Sequence, residues 1–538
     1  MNEAAEPARP QGLLAANVLV ASGTLLSRIT GLGRVVALGY ALGYDRLSDA
    51  YNLANNTPNI IYELLLGGIL TASLVPLFVD YSDRKDDRAI SAIVSVTVIG
   101  LAVITVVAVV AAPVIIRLYS ASAKGDDVDA YRSVATTLAY WFMPQIFFYG
   151  CTALGAALLN ARKRFTAFAF APVLNNLVVI AALLSVGTIS RHPTLATAQR
   201  DRGLVALLGL GTTLGIVAMT LAMLPALRRA GVRLRWNPEF RHPAVRRLIT
   251  LSGWAVGYVV ANQIALAVVA NLAQRRPADY SAYVAAFQFF QLPHGLLAVS
   301  IMTTFAPDLA RAANRRDVNE FRRRTSLGLR LTVLLVLPAA VGYVTLAHPL
   351  VTVLLKHGNL DAADAVVAAR VLAGFALGLV SFSAYLYLLR AFYARSDTRT
   401  PFVLNVIENA INLVLAVILY DRYGVQGLAW SFAAAYAIAA VIAFAVLGRQ
   451  MGGFPAWATL SGLWRPLVAS VLMGEIVWLV TRPIGSDDST VGAFARLGVG
   501  TVVGVVVYLG LLAFQGAPEL AYLRALLHRV RRGRRPAS

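Results

Sequence analysis

About fourteen apolar runs, each long enough to cross a bilayer and joined by short polar connections, leave this chain one class of fold. A span takes about 20 residues of helix, because in hydrocarbon every backbone amide must be satisfied within its own segment. The runs fall at 15–43, 49–80, 89–118, 130–160, 166–187 and 203–229. They continue at 243–273, 281–311, 327–355, 365–393, 401–420, 426–448, 464–482 and 491–515. With 58% hydrophobic and 14% charged residues, the chain lies far from the soluble average of about 45–50% apolar and 25% charged. The polar stretches near 228–247 and 310–325 are too short to fold alone. The fold class expected is an all-α polytopic membrane protein.

The net charge of +21 raises the question of nucleic acid, and its placement answers it. Lys and Arg gather at the ends of apolar runs, as in NARKRF, LRRAGVRLRW, FRRRTS and HRVRRGRR. That is the positive-inside pattern of a membrane protein rather than a nucleic-acid-binding stripe. With both termini on the cytoplasmic side, most of the basic residues fall on that side. The segment 228–249, basic with Trp236 and Phe240, reads as an interfacial segment on the anionic inner leaflet. Cys151 is the single cysteine, which excludes a disulfide framework and a thiolate metal site. The sequence carries no GxxxxGK[ST], GxSxG or HExxH, so no enzyme, cofactor or metal site is expected.

An internal echo divides the spans. LLNARKRFTAFAFAPVLNNLVVI (158–180) is similar to RAFYARSDTRTPFVLNVIENAINLVL (390–415). In each, a span ends in Ala-Arg (Ala161-Arg162, Ala394-Arg395), and the next opens with Pro and Asn: Pro172, Asn175 and Asn176; Pro401, Asn405 and Asn409. The repeat is six spans long. Six is even, so the halves are parallel about an axis along the membrane normal. The organisation expected is a cytoplasmic tail at 1–14, an N-lobe at 15–229, an interfacial linker at 230–242 and a C-lobe at 243–448. Two further spans lie at 464–515, before a basic tail at 516–538.

Polar groups inside the spans mark the candidate site, since ionisable residues at membrane depth are costly and rarely idle. Arg28 and Arg34 lie well inside the first span, and a guanidinium cannot shed its charge there. Six residues apart, they point about 120° from each other on a straight helix. Gly31 and Gly33 between them offer a bend or unwinding that would turn both toward one cavity. In the second span Asp49, Asn52, Asn55, Asn56, Asn59 and Glu63 recur at helical spacing as one polar stripe. The alternative use of such a stripe is interhelical packing. Gln288 and Gln291 share a face of the eighth span, as substrate donors or as packing amides. In the eleventh, Asn405, Glu408, Asn409 and Asn412 offer hard oxygen ligands for Na⁺, or a proton-carrying site at Glu408.

The combination SGTLLSRITGLGR (22–34), Asp49-Ala50-Tyr51, Pro58-Asn59, GG…VPLFVDY (67–81) and FYARSDTRTP (392–401) resembles the MurJ (MviN) lipid II flippases of the MOP exporter superfamily. The resemblance implies two six-helix lobes around a central cavity, with spans 13 and 14 adding a groove for a polyprenyl tail. It implies a polyprenyl-diphosphate lipid as substrate, membrane lipids and cell-wall synthesis proteins as partners, and the bacterial cytoplasmic membrane as location. Ser27, Arg28, Arg34 and Asp49 occupy the family's cavity positions. Val35 stands where many relatives have Asp, Tyr62-Glu63 where they have a basic pair, and Gln288 and Gln291 where they have Arg and Glu. The function implied is flipping of lipid II between leaflets by alternating access; on the residues themselves, a Na⁺ or H⁺ site near Glu408, or the membrane potential, would bias the inward- and outward-facing states. The alternatives are a flippase for another polyprenyl-diphosphate-linked saccharide and a transport-inactive scaffold of cell-wall synthesis.

Overall fold

The computed structural model describes residues 10–62, 74–84, 86–162, 164, 166–232, 234–453, 461–485 and 489–516; Glu63 lies outside them. Nineteen α-helices follow in chain order among these residues. They are α1 (Pro10–Leu42), α2 (Arg46–Tyr62), α3 (Val75–Asp83), α4 (Asp87–Tyr119), α5 (Val128–Phe142), α6 (Gln145–Ala161) and α7 (Thr166–Leu184). Next come α8 (Leu195–Arg200), α9 (Arg202–Leu221), α10 (Leu224–Arg229), α11 (Pro243–Ala273), α12 (Asp279–Pro293) and α13 (Val299–Asn314). The last are α14 (Val318–Leu355), α15 (Ala362–Ala394), α16 (Arg399–Tyr423), α17 (Val425–Gln450), α18 (Trp464–Thr481) and α19 (Thr490–Phe514).

Among the described residues, 12 helical stretches are long and apolar enough to span a membrane. The other two expected spans fall on α2–α3 and on α11, parts of which lie outside the described side chains. The chain is an all-helical, multi-pass membrane protein. Helices begin where short polar side chains can hold free amides: Asp86 accepts from Ala89, Asp317 from Glu320, Asp361 from Asp364 and Ser489 from Gly492.

Three expected continuous spans are interrupted, each at a proline, which has no amide to continue the ladder. The fourth breaks between α5 and α6 at Met143-Pro144. The sixth breaks between α9 and α10, just before Pro225. The eighth passes through a π-helical turn, His294–Ala298, directly after Pro293.

Two compact units divide the contacts: residues 1–281 with 357–360, and residues 282–356 with 361–538. The first has a core built on Leu77, Phe78, Ile93, Leu154 and Leu158. Residues 357–360 cap the end of α1 there, where Asn359 Nδ2 donates to the Ala41 carbonyl at 2.8 Å and its backbone amide to Tyr40 at 3.0 Å. Gly43, at φ +66°, allows that approach, because a Cβ there would fall 2.4 Å from the Asn359 carbonyl oxygen. The second unit has an aromatic core, with Phe290 packed edge-on to Phe432 at 5.3 Å and tilted against Phe375 at 5.4 Å and Phe382 at 5.4 Å.

The echoed turns do the same work in both units. Arg162 Nη1 donates to the Ala230 carbonyl at 2.5 Å, tying the α6–α7 turn to the end of the sixth span. Arg395 Nη1 donates to Gln450 Oε1 at 3.1 Å, tying the α15–α16 turn to the end of the twelfth.

Candidate functional site

Small residues set how α1 meets α7. A Cβ on Gly23 would stand 3.0 Å from the Ala169 Cβ, so the helices pack closely at that level. One turn on, Asn176 Nδ2 donates to the Ser27 carbonyl at 3.1 Å and to Thr30 Oγ1 at 3.0 Å. Ser27 therefore serves the packing through its backbone. The α1 helix runs unbroken through Gly31 and Gly33, so the unwinding expected there does not occur. With the hydrogen-bond ladder intact, Arg28 and Arg34 stay about 9 Å apart along the axis and about 120° apart around it.

Both arginines are half-buried, and among the described residues neither guanidinium has a hydrogen bond or an ion pair. On α2 the Tyr51 ring is held edge-on to Phe142 at 5.5 Å, and its hydroxyl lies 2.7 Å from Thr212 Oγ1 of α9.

The α2 stripe splits into two uses. Asp49 is fully buried, and its carboxylate accepts from the Ala278 amide at 2.9 Å, the Ser281 amide at 2.9 Å and the Ser281 hydroxyl at 2.7 Å. Asn52 Nδ2 donates to Ser281 Oγ and Asn56 Nδ2 to the Tyr280 hydroxyl, each at 3.0 Å. Beside them Arg46 pairs with Asp127 at 3.3 Å and donates to the Gln274 carbonyl. Asp49 and Asn52, expected at the substrate, are thus spent on holding the connection between α11 and α12. A buried carboxylate satisfied by three donors has little capacity left for a ligand. Asn55 and Asn59 lie at the other edge of the stripe, where Asn59 donates to the Asn55 carbonyl at 3.4 Å.

In unit 2, Gln288 is exposed and Gln291 half-buried, and neither amide has a hydrogen-bond partner among the described residues. The neighbouring Phe287 and Phe290 turn into the aromatic core rather than toward the glutamines. On α16, Asn409 Nδ2 donates to the Asn405 carbonyl at 2.9 Å, and Asn412 Oδ1 accepts from Ser431 of α17 at 3.0 Å. Glu408 lies between them, 1% exposed, and among the described residues its carboxyl has no hydrogen-bond or ion-pair partner. Sequence reading missed His294, buried on the π turn with Nδ1 3.0 Å from Ser383 Oγ and its ring 4.6 Å from that of Phe382. The Pro-His-Gly run at 293–295 is the signal that marks it.

Helical repeats with polar residues buried among apolar spans form an architecture that many membrane transporters use. Solved structures agree on that fold. One described as "Lipid II flippase MurJ, inward closed conformation" superposes with a TM-score of 0.76 at 22% identity, over 95% of this chain and 100% of that one. An inward-facing multidrug-resistance MATE transporter of the MOP superfamily gives 0.64 at 15% identity, over 78% and 94%.

The profile of the family described as "Lipid II flippase MurJ" matches residues 38–500, so the chain belongs to that family, one of transporters rather than enzymes. The lipid II flippase MurJ of Burkholderia cenocepacia is 31% identical over 72% of this chain and 75% of its own length. The probable lipid II flippase MurJ of Rhizobium tropici is 28% identical over 96% of each. The profile match begins beyond Arg34, so membership does not rest on the two arginines.

Proposed function

We propose that this chain carries lipid II, a polyprenyl-diphosphate-linked peptidoglycan precursor, from the inner to the outer leaflet of the bacterial cytoplasmic membrane by alternating access. One observation carries the reading beyond family membership: α1 holds two fixed positive charges at membrane depth with no carboxylate against them among the described residues. Such charges are costly unless an anion meets them. A diphosphate suits them, because charge-assisted hydrogen bonds are about twice as strong as neutral ones. Asn55 and Asn59, in the same unit as the two arginines, supply amides for the sugar and peptide. A drug exporter for cations would place carboxylates where this chain has arginines.

Glu408, with Asn405, Asn409 and Asn412, is the proposed coupling site for Na⁺ or H⁺. Both termini lie on the cytoplasmic side in this reading, following the distribution of Lys and Arg. Proteins of cell-wall synthesis are its proposed partners. The test is replacement of an essential lipid II flippase by this chain. The wild type supports growth and outer-leaflet lipid II, whereas Arg28→Ala and Arg34→Ala, expressed at equal level, do not. Growth of either variant at the wild-type rate would refute the reading.

A further inference from the structure

The outer face of α18 carries a carboxylate that a lipid-facing helix has no use for. Trp464, Val468, Val471, Glu475, Trp478 and, just past the helix end, Arg482 are all exposed and recur at alternating steps of four and three. That is the 3.5-residue period of a helix-packing seam. The apolar and terminal members suit acyl chains or the membrane interface. Glu475 suits neither. It stands about 16 Å along the axis from Trp464 and about 10 Å from Arg482, which mark the two ends of the span. The carboxylate therefore lies within the hydrocarbon layer, where an ionisable group is costly and marks function by default.

Unit 2 does not supply it with a partner. Among the described residues Glu475 has neither an ion pair nor a hydrogen bond. Two helices pack against α18. The first, α14, has no Asp, Glu, Lys or Arg from 331 to 355. The second, α19, has one charged residue, Arg496, which donates to the Ile484 carbonyl at 2.6 Å and the Arg482 carbonyl at 3.2 Å. The Arg482 guanidinium itself lies over the Trp478 ring at 5.1 Å.

Glu475 borders a groove. It encloses about 450 Å³ between Val341 and Thr345 of α14 and Val471, Gly474, Glu475 and Trp478 of α18. Gly474 sets its floor, because a Cβ there would fall 2.6 Å from Val341 Cγ1 and force the helices apart. Beside it, a Cβ on Gly342 would meet nothing within 4 Å, so the α14 side is open. The Thr345 hydroxyl is spent on the Val341 carbonyl at 3.0 Å and leaves the carboxylate unserved.

We propose that this groove seats a transmembrane helix of another membrane protein, one that carries an arginine or lysine at the depth of Glu475. An acyl chain fills apolar space but offers no donor, and a carboxyl without one is costly in hydrocarbon. A cation on a neighbouring helix meets it with a charge-assisted hydrogen bond. The 3.5-residue seam suits the left-handed crossing, near +20°, that most membrane helix pairs adopt. A second copy of this chain fits less well, since a two-fold axis along the membrane normal would set Glu475 against Glu475. The contact holds whatever anion meets Arg28 and Arg34.

The test uses the full chain in phosphatidylcholine nanodiscs and synthetic Leu/Ala transmembrane peptides of about 20 residues. Each peptide has Arg, Leu or Glu about seven residues inside one end, matching the depth of Glu475, and a benzophenone one turn away. On the wild-type chain the Arg peptide is expected to label residues 467–479 or 341–345 and the Leu peptide is not, a readout that needs no variant to fold. Glu475→Gln, nearly the same shape, is expected to lower that labelling at least about fivefold, the scale of an interhelical polar contact in a bilayer. Glu475→Arg is expected to reverse the preference toward the Glu peptide. Equal labelling by the Arg and Leu peptides, labelling confined to other segments, or labelling indifferent to Glu475→Gln would overturn the proposal. A dimer of the chain in nanodiscs that Glu475→Gln dissociates would seat a second copy in the groove and overturn it as well.

Discussion

Two helices that begin alike end up with opposite interiors. Counted from Pro172, the fourth residue of the run in α7 is Asn176 and the seventh is Val179; counted from Pro401, they are Asn405 and Glu408 in α16. Val179 and Glu408 are both buried, at 0% and 1% exposure. The repeat therefore buries this register in each half, and a valine suffices for the packing. In unit 1 the polar partner, Asn176, is consumed by Ser27 and Thr30 of α1. In unit 2 the carboxyl of Glu408 stands without a partner among the described residues. The difference separates what the fold requires from what it tolerates at a cost. Packing explains Asn176, whereas the buried Glu408 carboxyl has no partner among the described residues that would make it a packing group.

The largest effect expected of a single substitution on stability is at Asp49. Asp49→Ala strands the amides of Ala278 and Ser281 and the Ser281 hydroxyl, at about 3 kcal/mol together. Thermal unfolding in detergent checks it. Asp49→Asn, which keeps an acceptor, should lose less. A binding role alone would leave the melting temperature of both variants unchanged while substrate binding fell.

Glu408→Val copies Val179 into the second half. It should stabilise the protein by about 1–3 kcal/mol by removing a buried unpartnered polar group, while abolishing the Na⁺ or pH dependence of transport. A destabilised variant would mean that Glu408 holds the fold, and the contrast between halves would collapse.

The smallest effects belong to the matched clamps. Arg162→Ala and Arg395→Ala should each cost about 1 kcal/mol, and by similar amounts, because each removes one tie between a turn and the last span of its half. Beside the second clamp, burial pushes the Asp397 carboxyl up, but hydrogen bonds from Thr400 and Gln450 hold it below the usual aspartate range. That turn is therefore steadier above the unfolded carboxyl's range and loosens as pH falls through the folded one. Hydrogen exchange of residues 395–400 across that range would show it.

The spans and the repeat were legible because hydrophobic length and a Pro-Asn spacing survive in one dimension. Expected boundaries such as 203–229 and 401–420 differ from the helices by a few residues or by a proline break. The use of the α2 stripe was not legible. Period alone places Asp49, Asn52, Asn56 and Asn59 on one side, but what that side meets depends on residues 278–281, more than 200 positions away. The glycines at 31 and 33 misled for a related reason: glycine permits unwinding, and close packing against α7 makes an unbroken helix the better choice. Arg28 and Arg34 were legible as buried charge, and their lack of carboxylate partners was not.

The most direct test of the central claim is the affinity of purified protein for a polyprenyl-diphosphate lipid, compared among wild type, Arg28→Ala and Arg34→Ala. The account predicts at least a tenfold loss for each variant, as expected when a charge-assisted contact to a phosphate is removed, with binding of a neutral polyprenol unchanged. Equal affinity for the diphosphate lipid in all three proteins would contradict it.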